Sequence, residues 1–105
     1  MTKDFDYKAA LKNIPHKPGV YQFWDTANEL MYIGKAKDLR NRVTSYFNNK
    51  DYTVNAKTRV LVSKIRNITF TIVDTEVDAW LLENSMIKKH QPRYNVMLKD
   101  DKTYP

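Results

Sequence analysis

The 105-residue chain contains no cysteine, which removes disulfides, thiolate zinc sites and cysteine nucleophiles together. It has no long apolar run, and its charged start, MTKDFDYKAALKN, offers neither a membrane span nor a secretory signal. A soluble, cytoplasmic protein with no membrane partner is expected. Glycine is scarce too. The only two, Gly19 and Gly34, bracket GVYQFWDTANELMYIG, and Tyr21 and Tyr32 each stand two residues inward from one of them. Chemistry in such a chain must use oxygen and nitrogen groups.

What is present fits one small domain, of a size that removes roughly 60 to 68% of the unfolded surface from water. Hydrophobic residues make up 42% and charged residues 29%, the composition of an ordinary globular chain. Lys and Arg exceed Asp and Glu by 18 to 12, a net charge of +6. Cations near phosphates gain affinity by releasing counterions, so a polyanionic partner is favoured, although charge alone does not name it.

Along the chain, residues 6 to 13 suggest a short helix with Tyr7, Ala10 and Leu11 inward, ended by Pro15 and the Pro18-Gly19 turn signal. Residues 19 to 25 and 30 to 34 read as a β-hairpin around Asp25, Thr26 and Asn28. Asp38 is placed to cap a helix over 39 to 47 with an apolar face of Leu39, Val43, Tyr46 and Phe47. After the polar stretch Asn48 to Tyr52, a helix is expected over 54 to 66, with Val54, Leu61, Val62 and Ile65 inside. ITFTIV, 68 to 73, alternates like a third strand. Thr75 with Asp78 resembles a capping box opening a helix over 76 to 90, which Pro92 stops. No linker or repeat divides the chain, so 1 to 105 is expected to be one domain. The tail after Lys99 has no terminating element, which suggests the first part of a longer polypeptide.

Three features carry chemistry. At 100° per residue, Glu83 falls within the apolar stripe of its helix, flanked by Ala79 and Met86 on one side and by Trp80 and Ile87 on the other. A carboxylate in such a place is paired with a cation or binds a metal. Arg42 and Tyr46, four apart, project from one side of their helix, and Arg offers forked donors suited to phosphate. In the hairpin, an even loop puts Tyr21 and Tyr32 on one sheet face, able to lie opposite one another, whereas an odd loop separates them across the sheet. Each feature alone is equally met by ordinary packing or a surface charge.

Taken in order, GVY, YIG, Lys35, Leu39 with Arg42, Glu83 and Asn95 resemble the GIY-YIG nuclease family. PGVY, YIGKAKDLRNRVTSYF, KTRVLV, LLENSMIKKHQPRYNV and LKDDKTYP extend the likeness over nearly the whole chain, toward the branch serving bacterial nucleotide excision repair. Val20 replaces the isoleucine of the family name. Asn28 stands where a turn glycine is common, and Asn also tolerates positive φ. The resemblance implies an α+β fold, a small three-stranded antiparallel sheet flanked by helices, with the active site on one sheet face.

It also implies metal-dependent hydrolysis of a DNA phosphodiester on the 3′ side of a lesion. On this resemblance Glu83 holds Mg²⁺ or Mn²⁺, Arg42 binds the scissile phosphate, and Tyr21 or Tyr32 orients or deprotonates the attacking water. Lys35 and Tyr46 support the phosphate and the tyrosines, Asn95 completes the local hydrogen bonds, and Lys37 and Arg40 join Lys35 and Arg42 in binding DNA. A free phenol has a pKa of about 10, so either base needs neighbouring cations to lower it. The implied partners are damaged double-stranded DNA, the protein UvrB in the pre-incision complex, and the remainder of a longer chain. Two other readings remain open, a silent DNA-binding or docking domain and a GIY-YIG nuclease of another branch.

Overall fold

The computed structural model describes residues 6–48 and 56–99. In chain order these form helix α1 (Tyr7–Lys12), strands β1 (Gly19–Trp24) and β2 (Leu30–Ala36), helices α2 (Leu39–Asn48) and α3 (Ala56–Lys64), strand β3 (Asn67–Ile72), and helices α4 (Glu76–His90) and α5 (Arg93–Lys99). The expected α+β fold is the one observed. Its sheet has the order β2-β1-β3, with both pairs antiparallel.

Because β1 is central and covered on both faces, it needs side chains that can be buried at every position. GVYQF meets this demand, and all five residues are buried. Gln22 is the polar exception at 5% exposed, and its amide oxygen accepts a hydrogen bond from the Thr69 hydroxyl, which itself accepts one from Trp24 Nε1 at 2.8 Å. The Gln22 amide nitrogen donates to Met86 Sδ at 3.8 Å, so the buried amide is satisfied at both ends. On one face Tyr21 and Phe23 pack with Leu39, Val43, Leu61 and Ile65. On the other, Val20 and Ile33 meet Ala79 of α4.

Helix starts follow local chemistry. Asp38 accepts the Asn41 amide hydrogen bond at 3.0 Å, and Thr75 accepts that of Asp78 at 3.1 Å, half of the expected capping box. α1 has only partly buried residues and is held by Tyr7 stacking on Phe47 at 4.6 Å. The expected helix over 54 to 66 is seen from Ala56 to Lys64, and Val54, like the stretch after Asn48, lies outside the described residues.

One element was not anticipated. Pro92 does not simply end a helix, because α4 stops at His90, capped by Gln91 with a left-handed φ of 48°, and α5 starts directly after the proline. Pro92 has no amide hydrogen to leave unpaired at a helix start, and its carbonyl accepts from Asn95 and Val96 at 3.1 and 3.3 Å. α5 then carries Tyr94 into the main core and Asn95 to the sheet edge.

Candidate active site

The hairpin meets the parity condition by an unexpected route. Trp24 pairs with Leu30, which leaves 25 to 29 as the loop, an odd number that would put Tyr21 and Tyr32 on opposite faces. A bulge follows at once, however, since the next pair is Phe23 with Tyr32 and Met31 has no partner of its own. The extra residue restores the even count. Both tyrosines therefore share a face, but diagonally, because Tyr21 is paired with Gly34 and not with Tyr32. Their ring centres are 6.2 Å apart. Asn28 has the positive φ, 63°, that its position required.

This pairing explains the second glycine. A Cβ on Gly34 would run into the Oη and Cζ of Tyr21, and would stand 2.9 Å from its Cε1. Gly34 is thus the floor on which the Tyr21 ring lies, fully buried. Gly34→Ala is expected to displace that ring and cost about 1–3 kcal/mol of stability, as overpacked sites do. Denaturant unfolding checks this, and an unshifted midpoint would mean that the contact is absent.

α2 delivers Arg42 and Tyr46 to the same face. The Tyr46 and Tyr21 hydroxyls share a hydrogen bond of 2.7 Å, and the Arg42 guanidinium carbon stands 5.7 Å above the centre of the Tyr46 ring. Phe23 supports the group from below, edge-on to Tyr46 at 5.1 Å. His16 was not anticipated and helps to place α2. Its Nδ1 lies 2.9 Å from the Asp38 carboxylate that caps the helix.

The phenols do not become acidic here. Burial pushes the pKa of Tyr21, Tyr32 and Tyr46 upward, and the lowering effect of Arg42 is too small to reverse it. Of the cations expected to lower a phenol's pKa, Lys35, Arg42 and a metal, Arg42 does so here and burial outweighs it. An unfolded phenol titrates near 10, so folding favours the protonated form, and the stability these residues contribute is intact below pH 10 and lost as pH rises beyond it. An ultraviolet absorbance titration should show Tyr21, Tyr32 and Tyr46 ionising only as the fold is lost. Ionisation of every phenol with native circular dichroism would contradict this.

Glu83 is half-buried on the inner side of α4, where Ala79, Leu82, Met86 and Ile87 pack against Val20 and Ile33. Trp80, expected to flank it inside, turns outward and is 52% exposed. The charge of Glu83 reaches Tyr32, whose pKa it helps to raise, although α4 packs on the opposite face of the sheet. Among the described residues no three His, Cys, Asp or Glu side chains gather as a metal site. A single carboxylate suits Mg²⁺ or Mn²⁺, which keep several waters and take substrate oxygens, better than Zn²⁺ or Ca²⁺.

Asn95 acts on the backbone. Its Oδ1 accepts the Ile33 amide hydrogen bond at 2.7 Å and its Nδ2 donates to the Ile33 carbonyl at 2.8 Å, so it pairs with the free edge of β2 as another strand would. This fixes the strand that bears Tyr32 and Gly34. Lys35 pairs with Val20 in the strand register, and with Lys37, Asp38, Asn41, Arg42 and Ser45 it lines an open groove beside the cluster. Lys37 makes only a long, exposed ion pair of 3.9 Å with Glu76. Arg40 also has a task within the fold. Its Nε and Nη2 donate to the carbonyls of Ile14 and Lys12 at 2.7 and 3.1 Å, which ties α2 to the segment before the sheet.

The family described as the UvrC-like GIY-YIG domain matches residues 17–96. The chain belongs to that family. Its relatives include UvrABC system protein C of Bacteroides thetaiotaomicron, 56% identical over 98 residues, or 93% of this chain. The chain spans only 16% of that relative's length. Among solved structures it is similar to the GIY-YIG N-terminal endonuclease domain of UvrC from Thermotoga maritima, bound to its catalytic divalent cation, magnesium. That match has a TM-score of 0.73 at 32% identity and covers 90% of this chain and 98% of the other. Tyrosine-to-phenylalanine variants of the Thermotoga domain, 31% identical to this chain, are also bound to the catalytic divalent cation. No helix among the described residues is long and apolar enough to cross a membrane.

Proposed function

We propose that this UvrC-like GIY-YIG domain is a metal-dependent DNA endonuclease that cuts a phosphodiester on the 3′ side of a lesion, as the amino-terminal domain of a longer, cytoplasmic excision-repair protein. The observation that carries the reading is the convergence of Tyr21, Tyr32 and Tyr46 with Arg42 on one sheet face, with the half-buried Glu83 of α4 near enough to act on Tyr32. Damaged DNA, UvrB and the remainder of the polypeptide are the partners this role requires.

In the mechanism, Glu83 holds the divalent cation and Arg42 binds the scissile phosphate from another side. A bound Mg²⁺ or Mn²⁺ supplies Lewis-acid polarisation of phosphate and stabilises the leaving oxyanion. Arg42 adds fixed positive charge where charge develops, in a position maintained by Tyr46 beneath it. Tyr32 is only partly buried, whereas Tyr21 is fully buried and hydrogen-bonded to Tyr46, so Tyr32 is the better placed to orient an attacking water. Tyr21 and Tyr46 hold the site's shape. Lys35 and Lys37 draw the flanking backbone toward the groove, and Asn95 keeps β2 in register.

Incision of lesion DNA by the complete excision complex, with and without Mg²⁺, tests the proposal. Cutting confined to the 3′ side and dependent on the cation is expected, and metal-independent or absent 3′ cutting by a folded protein would overturn it. Tyr32→Phe should lower the rate by about 10²-fold with little change in DNA affinity, the mark of a group acting in the transition state. Equal losses in both would assign Tyr32 to substrate positioning instead.

A further inference from the structure

Helix α4 has a second side that the nuclease site does not use. Val77, Trp80 and Leu81, spaced by three and four residues, form an apolar stripe on its outer surface and are 64%, 52% and 54% exposed. An indole and two aliphatic side chains left in water along one helix face are the mark of an interaction surface. Its charge is also unlike that of the rest of the protein. From Asn67 to Ile87 there is no Lys or Arg, while Asp74, Glu76, Asp78 and Glu83 all fall in this stretch of a chain whose net charge is +6.

Glu76 and Asp78 sit on either side of the stripe, about 100° to each side of Val77 at helical spacing. Lys37 reaches this rim in its long and exposed pair with Glu76. An acidic border repels DNA phosphates, so nucleic acid is disfavoured here. A protein segment with an apolar ridge between Lys and Arg residues matches both the stripe and its border.

We infer that this face docks a basic, amphipathic segment of the same longer polypeptide. The inference rests on the reading that the chain is one domain of a larger protein, which the 16% span of its relative supports. Size decides between a tethered segment and a separate partner. Three half-exposed side chains offer on the order of 300 Å², against roughly 800 Å² per partner in a stable two-protein interface. A tether raises the effective concentration to about the millimolar range and makes so small a patch sufficient. Since Glu83 follows Leu81 by two residues, the docked segment would also steady the helix that carries the metal carboxylate.

The test uses the full-length chain with Leu81→p-benzoylphenylalanine, a photo-crosslinker at an exposed site, and Val77→p-benzoylphenylalanine as a second placement. Irradiation should give an intramolecular crosslink to a Lys/Arg-rich peptide beyond residue 105, with a yield independent of protein concentration. Glu76→Gln with Asp78→Asn should reduce that yield about fivefold at low salt. Crosslinks to a second copy, to UvrB or to DNA, or none at all from either position, would overturn the inference. The mass of the native chain separately shows whether further polypeptide exists, and incision assays separately test the nuclease reading.

Discussion

Glu83→Gln is expected to reduce Mg²⁺-dependent 3′ incision by at least about 10³-fold, because the cation's charge stabilisation is worth several kcal/mol and each 1.36 kcal/mol is a factor of ten. The amide keeps the shape and volume of the carboxylate, so the inner side of α4, where Ala79 and Met86 pack, should be undisturbed. Thermal unfolding of the variant should therefore stay close to that of the wild type. Loss of incision in a protein that melts normally assigns Glu83 to chemistry. Loss of incision together with loss of the fold would make it a structural ion-pair partner. Excess Mn²⁺ should restore little, as an amide oxygen is a poor substitute for a charged ligand.

Arg42→Ala is the second large effect, expected at about 10²–10³-fold in incision rate, the range seen when one preorganised donor to a developing charge is removed. Arg42→Lys should recover only part of this, because an ammonium cannot supply two donors in one plane. Arg42 is on the outer side of α2 and its guanidinium lies over Tyr46, so its removal leaves Leu39 and Val43, the residues that anchor the helix, in place. The variant should fold. Its DNA affinity should fall by much less than its rate, and a uniform loss of binding with an unchanged single-turnover rate would place Arg42 among ordinary phosphate contacts.

Much of the fold was legible because its signals are local. Asp38 and Thr75 cap the helices they were expected to cap, and GVYQF forms a strand within the expected range of 19 to 25. Parity was the limit of that reading. No local pattern shows that Met31 is a bulge residue, yet it alone brings Tyr32 back to the side of Tyr21. α5 was hidden for a related reason. RYNVMLK has no strong helix-start residue of its own, and the start is supplied by the Pro92 carbonyl.

The site was legible as residue types and less so as states. Arg42 and Tyr46 meet as their spacing of four implies, but the direction in which the phenol pKa values move depends on burial, which the sequence does not display. Trp80 turned outward because the inner surface of α4 is already filled by Ala79, Leu82, Met86 and Ile87. Arg40 and Arg42 look alike as sequence, and only the fold separates them: one is fixed by the carbonyls of Ile14 and Lys12, the other faces the tyrosines.

Anomalous diffraction from a crystal grown with Mn²⁺ and a nicked or uncleavable DNA reports most directly on the proposed site. One strong peak is expected, about 2.1 Å from a Glu83 carboxylate oxygen and bridged to a phosphate that Arg42 also contacts. A peak elsewhere, or a Glu83 carboxylate paired to a basic side chain with no ion beside it, would contradict a metal-dependent phosphodiesterase centred on that residue.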